Sequence, residues 1–377
     1  MKKISALILS FLPKIRFADE EKSSIILENH IEAPEFQVLS NDVELLLKNY
    51  LDWHYKNLKN NNSNYIDNLH ILITNKDLIE FKKAKLNWSY NWQNKLNEEV
   101  LSYSIYLDLN DFKNQGNYIL MNVTYGEDLV TKSNPEVVQQ IRNQNHKLVI
   151  KNENGILTIV NDYYNDEFLN ENFDISEDEF FNSLEDNISN SRLKGATLYL
   201  RNKLNFIDTH YKRYKSNLDA SKRASESLSP KRYSKYNGDA AANYAVQYAL
   251  SYNSNYTNWT NEGGDCTNFV SQCLLAGGIH TDAAWYKDSN KWLRVVELHD
   301  WLTRRKDYAR SLTWQENATA GDIVQLYTSE KGWYHSLIIS CNRNNSGELF
   351  ISSHSGDWRN RALSNYTQTK RFLILTS

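Results

Sequence analysis

The sequence predicts an α+β protein built from two blocks, each with helices placed before an antiparallel sheet. Three observations carry this expectation. Apolar residues recur at helical spacing over residues 41–60 and 75–86, the period changes to alternation over residues 103–109, and the order of helices then strands returns after residue 231. A chain of 377 residues exceeds what one core ordinarily supports, so two compact domains are expected. With 43 Lys plus Arg against 46 Asp plus Glu, the formal net charge of -3 leaves no large basic field for nucleic acid. Charged residues at 24% and hydrophobic residues at 41% fit a folded chain, and no stretch reaches the apolar length of a transmembrane helix.

Lys2 and Lys3 precede an apolar run at residues 4–12, the length of a signal-peptide core. Residues 1–18 are therefore expected to direct export, giving a secreted or cell-wall location. Arg16 departs from the small residue usual before a cut after Ala18. The competing reading is an amphipathic N-terminal helix on a cytoplasmic protein. Residues 19–175 form the first α+β domain. Asn41 or Asp42 caps a helix whose apolar face is Val43, Leu46, Leu47, Tyr50 and Leu51, and Asn75 caps a second helix bearing Leu78, Ile79 and Phe81. Tyr103, Ile105, Leu107 and Leu109 then alternate with polar residues, and residues 118–125, 147–151 and 156–162 are further strands. Asn154-Gly155 is a hairpin signal because both residues tolerate positive φ. By element order this domain is similar to the cone-shaped NTF2-like or cystatin-like folds, and its function is unassigned.

Residues 176–230 read as a connecting segment. Phe180, Leu184 and Ile188 support helices, but residues 211–235 are dominated by Lys, Arg, Ser and Asn and contain Pro230. Residues 231–377 form the second domain. It carries 16 Lys plus Arg against 13 Asp plus Glu, a mild positive balance suited to an anionic polymer such as a cell wall, or simply to a solvated surface. Asp239 is expected to cap a helix through Leu250, and Asp265 to cap one that starts at Cys266 and stops at Gly277-Gly278. Strands are expected at residues 322–328, 335–340, 349–353 and 371–376.

This order puts Cys266 at a helix N-terminus. Backbone N–H groups and the positive end of the helix dipole favour a thiolate there. His335, at a strand start, completes an ion pair with it, and His354, at the end of the next strand, is positioned to orient the His335 ring through its second nitrogen. The Cys266 N–H is one arm of an oxyanion hole; Asn258, Asn261 and Glu262 are upstream candidates for the other. Asp357 and Asn360 are alternative orienting groups. Cys273 and Cys341 read as core thiols. No C-x-x-C or H-x-x-x-H spacing exists, so no metal is expected and the chemistry calls for no cofactor. Seven of the ten tryptophans fall in this block; Trp333 and Trp358, near the histidines, are candidates for substrate stacking, with core packing as the other explanation.

Five strings here resemble one family. They are the run from Tyr236 to Ala245, the run Gly264-Asp265-Cys266-Thr267-Asn268-Phe269-Val270-Ser271-Gln272-Cys273-Leu274 with Gly277-Gly278, the run from Ala320 to Gln325, Tyr334-His335-Ser336, and Ser353-His354-Ser355-Gly356-Asp357. Together and in this order they are similar to the bacterial putative amidase domain, a family placed with papain-like cysteine hydrolases and related to CHAP-type cell-wall amidohydrolases. The resemblance covers residues 231–377 only. It implies a papain-like fold, with a catalytic helix on an antiparallel sheet. By position Cys266 matches the nucleophile, His335 the base and His354 the third polar residue. It also implies hydrolysis of an amide bond in peptidoglycan or a cell-wall peptide. The turn at residues 342–348, between the histidine strands, is a departure. The alternatives are a non-catalytic secreted cell-wall-binding protein and an intracellular papain-like transferase or hydrolase; the oligomeric state is not legible.

Overall fold

The computed structural model describes residues 14–18, 34–60, 68–164, 188–226, 236–306, 308–315, 318–343 and 347–375. The apolar run at 4–12, the helix-supporting Phe180 and Leu184, and Pro230 lie outside the described residues. The fold is α+β. The chain divides into two compact units: unit 1 is Met1–Pro135 with Asn143–Asp208, and unit 2 is Glu136–Arg142 with Thr209–Ser377.

In unit 1, β1 (Lys14–Ala18) pairs antiparallel with β2 (Val100–Gln115), so the segment expected to end an export signal forms a strand. Helix α1 (Pro34–Lys59) buries Val43, Leu46, Leu47, Tyr50 and Leu51, the face that the spacing predicts. After the short α2 (Leu69–Leu72), helix α3 (Lys76–Leu96) starts at Asn75, whose side chain accepts the N–H groups of Asp77 and Leu78 at 3.0 and 3.3 Å. It continues beyond residue 86 because Trp88 and Trp92, one turn apart and stacked at 5.6 Å, extend the buried stripe. β2 forms a hairpin with β3 (Tyr118–Thr131), and β4 (Asn134–Glu153) forms one with β5 (Ile156–Tyr163). Asn154 and Gly155 take φ of 55° and 85°, as the hairpin signal requires. The strands outrun their predicted lengths. Residues 110–115 are polar and lack alternation, yet they stay paired to β3 through the backbone.

Residues 211–226, within the stretch expected to connect the two blocks, are helical. Helix α4 (Ile188–Asn205) is followed by α5 (Ile207–Glu226), which is helical throughout this stretch. Ile207, Tyr211, Tyr214 and Leu218 recur at helical spacing and are half-buried, a sparse stripe among Lys, Arg and Ser that the polar composition obscures.

Unit 2 is a helix layer on an antiparallel sheet. Its strands are β6 (Ala309–Leu312), β7 (Ile323–Thr328), β8 (Gly332–Arg343), β9 (Glu348–Ser353), β10 (Trp358–Ala362) and β11 (Thr369–Leu375), in the order β10-β9-β8-β7-β11-β6. Residues 140 and 141 add to the β10 edge. Successive side chains alternate between two buried faces. Ile323, Ile338, Leu373 and Leu375 meet helices α6 (Gly238–Tyr248) and α7 (Cys266–Ala276) together with Trp285, Trp292 and Trp301. Val324, Leu337, Ile339, Ile351 and Ile374 fill the other side.

Small residues let α6 lie close to the sheet: Ala241, Ala245 and Ala249 are fully buried. At its start the backbones nearly touch, and a Cβ on Gly321 (φ 86°) would sit 2.4 Å from the Gly238 Cα. Asn237, rather than Asp239, caps α6, its side-chain oxygen accepting the Ala240 N–H at 3.0 Å. β6 and β10 lack a sequence signal, as do the short helices α8 (Asn290–Leu293) and α9 (Val295–Asp300), because each is too short to show a period. β8 and β9 stay paired from Ile338–Ser352 to Arg343–Glu348, so the long turn between them lies at the end away from both histidines.

Candidate active site

Gly263 and Gly264, both at φ 106°, turn the chain sharply into α7. Asp265 occupies the N-cap position but its side chain makes no capping bond, which corrects its expected role. Its carboxylate is fully engaged elsewhere. Oδ1 accepts the Trp259 N–H at 2.9 Å and the Asn268 amide at 2.8 Å, while Oδ2 lies 2.6 Å from His354 Nδ1. The first-turn N–H groups of α7 therefore have no side-chain cap, and the positive end of the helix faces the Cys266 side chain.

Cys266 is buried, with 8% of its surface exposed. Burial alone would push its thiol up, but the charge and hydrogen bond of His335, the Ser336 backbone N–H and the Thr267 hydroxyl outweigh it and bring the pKa down to about 7. The structure thus brings Cys266 and His335 together. It also supplies partners that carry no role in the sequence expectation. Thr267 Oγ1 lies 3.7 Å from Cys266 Sγ and 3.1 Å from Ser336 Oγ, and the Gln325 amide donates to Ser336 Oγ at 3.2 Å and to the Val295 carbonyl at 2.9 Å. The directions follow from the donors available. A thiolate only accepts, so Thr267 gives its proton to the sulfur, and its oxygen then accepts from Ser336 Oγ, which accepts from Gln325. Thr267, Ser336 and Gln325 all stand within the resembling strings; what sequence could not show is that three separated elements align their hydroxyl and amide groups.

His354 does not orient His335. Its Nδ1 meets Asp265 and its Nε2 donates to the Tyr248 carbonyl at 2.8 Å, so both ring nitrogens are taken. The ring is held between Tyr252 (4.2 Å) and Phe269 (4.1 Å, 23° from parallel), and only 1% of the residue is exposed. The cause is local. Ser355, Gly356 and Asp357 have φ of 61°, 139° and 47°, so the chain turns directly after β9 and sends His354 under the start of α7. Because a carbonyl only accepts, Nε2 carries a proton, and the 2.6 Å contact holds a second one. The Asp265–His354 pair is therefore neutral overall. It ties the end of α6, the residue before the nucleophile and the turn after β9 into one support.

The remaining predicted residues sit apart from this pair. Asn258 and Asn261 are exposed, and Asn258 Oδ1 accepts the Thr260 N–H at 2.9 Å in a local turn. Asp357 is buried and accepts the Tyr252 hydroxyl proton at 2.9 Å, which places it behind His354. Asn360 accepts the Ser340 hydroxyl proton at 2.9 Å. Trp333 and Trp358 are half-buried, each beneath a guanidinium at 4.1 Å, Arg371 and Arg361 respectively. Trp285, Trp292 and Trp301 are core. Among the described residues no group of three or more His, Cys, Asp or Glu side chains is arranged to hold a metal ion. No helix among them is long and apolar enough to cross a membrane.

Comparison with known proteins follows the same division. No solved structure matches the chain. The uncharacterized protein YjcM of Bacillus subtilis (strain 168) is 32% identical over 130 residues, 32% of this chain, which spans about a third (31%) of that relative's length. Residues 235–375, the stretch that contains Cys266, His335 and the support beneath them, match the model of the putative amidase domain family.

Proposed function

We propose that unit 2 is a cysteine-dependent hydrolase that cleaves an amide bond in peptidoglycan or a related cell-wall peptide, working outside the cytoplasm. The observation that supports this most is a buried thiol brought down to about 7 by a facing histidine, at a helix start without a side-chain cap. His335 holds the Cys266 proton as the thiolate attacks the carbonyl carbon. The oxyanion forms against the Cys266 N–H, and His335 returns the proton to the leaving amine. Water, activated by His335, then breaks the thioester and frees the acid. The reaction needs no cofactor. Asp265 and His354 act as positioning residues for the nucleophile rather than as members of the proton relay.

The test is to incubate the full chain and its Cys266→Ala variant with purified peptidoglycan and to identify new ends by mass spectrometry. New amino groups from the wild type alone support the reading and name the bond. Equal release from both proteins, or none from either, overturns it.

A further inference from the structure

We propose that Arg371 is a carboxylate-binding residue of this site, gripping an acidic group of the substrate beside the Cys266–His335 pair; this rests on the hydrolase reading above. Arg371 stands on β11 opposite Gln325 of β7, which stands opposite Ser336 of β8, so the three form one row across the sheet. Its Nε donates to Gln325 Oε1 at 2.7 Å, joining it to the chain of bonds that ends at the Cys266 sulfur. Its guanidinium lies 4.1 Å over the ring of Trp333, two residues before His335 on the same strand. Arg371 is thus fixed two strands from Ser336 and linked to the reacting pair through Gln325, Ser336 and Thr267.

Gln325 and Ser336 bring no carboxylate to this row. Only 9% of Arg371 is exposed, Nη2 is buried with no hydrogen-bond partner, and among the described residues no carboxylate lies within 4.0 Å of it. The Asp300 carboxylate, which acts on it from further away, is shared by His299 at 2.9 Å and Arg304 at 3.5 Å. Burying a cation costs several kcal/mol unless an anion or full hydrogen bonding compensates, and burial pulls the Arg371 pKa down to about 10. Gln325 and the Trp333 face compensate only in part. A planar fork with a spare donor and no partner suits a carboxylate, which accepts two parallel N–H groups. A peptide offers that group at its C-terminus or on an acidic side chain.

The experiment alkylates Cys266 in the full chain with iodoacetyl-ω-amino acids of two to five methylenes, each beside its ω-carboxamide, and follows labelling by peptide mass spectrometry. In the wild type the acid reacts about tenfold faster than the amide at one spacer length, the scale of one charge-assisted hydrogen bond. Arg371→Met brings that ratio to about one, and Arg371→Lys keeps a reduced preference. Acid and amide reacting alike at every length in the wild type overturns the proposal, whether or not the variants fold. So does a preference that survives in Arg371→Met, or a variant that changes both rates equally. Reagents that label Cys266 without acid preference sink this proposal and leave the nucleophile standing; failure of every reagent sinks both. Peptides ending in a free acid or an amide, and carrying Glu or Gln, then tell the two carboxylate sources apart by their cleavage rates.

Discussion

Cys266 and Cys273 lie two helical turns apart on the same buried side of α7, and burial alone pushes both thiols up. They end on opposite sides of the ordinary value. Cys273 packs among Phe269, Val270 and Leu274 in the apolar core and is held well above it. Cys266 meets His335, the Ser336 N–H and the Thr267 hydroxyl and falls to about 7. Desolvation is the shared condition, so it does not distinguish a nucleophile from a core residue. What distinguishes them is whether donors and an opposite charge converge on the sulfur once water is gone.

Replacing each cysteine breaks the comparison most directly. Cys266→Ala should lower amide hydrolysis by about 10⁴-fold or more, whereas Cys273→Ala should keep activity and lose about 1–2 kcal/mol of stability by denaturant titration. Loss of activity from both variants would mean that the two thiols are not functionally distinct. Next comes the support under the first turn. Asp265→Asn leaves His354 without its counter-charge and should cost about 3–5 kcal/mol in chemical denaturation, because one partner of a buried pair stays behind. A loss under about 1 kcal/mol would show that the pair is not a structural hub.

The charge on the sulfur is tested by pH. Iodoacetamide labelling of Cys266 should rise through pH 7 in the wild type, with Cys273 unreactive, and in His335→Gln the midpoint should move up toward about 8.5, that of a free thiol. Stability carries the same sign. A thiol lowered by folding contributes stability that is present above about pH 8.5 and lost as the pH falls through 7. An unchanged labelling midpoint would place the lowering of Cys266 outside His335. The smallest effect is expected from Thr267→Val, which removes one donor to the sulfur and one acceptor of Ser336. It should raise the midpoint by about half a pH unit and cost about 1 kcal/mol. No movement would assign the shift to His335 and the Ser336 N–H alone.

Much of this arrangement is readable from the chain. The stripe on α1, the Asn75 cap, the Asn154-Gly155 hairpin and the glycines flanking α7 are local signals, and each appears where it is expected. Elements without an apolar period are not readable in this way. Residues 110–115 are strand only because a partner strand runs beside them, and β6 and β10 are too short to show alternation. The site divides similarly. Cys266 and His335 are visible as a thiol at a helix start and a histidine at a strand start. The task of His354 is not, because the turn at Ser355 to Asp357 aims its ring at Asp265.

The helix start at Cys266 and the two histidine strands are determined by sequence, since residue type and local period are enough to place them. Only the tertiary structure decides which side chains converge. It takes Asp265 from its own helix, gives it to His354, and lines up Arg371, Gln325, Ser336 and Thr267 from three strands and a helix toward one sulfur. The reason is physical. Once water is excluded, each donor and charge takes the nearest partner in space, and strand register sets that partner, not distance along the chain.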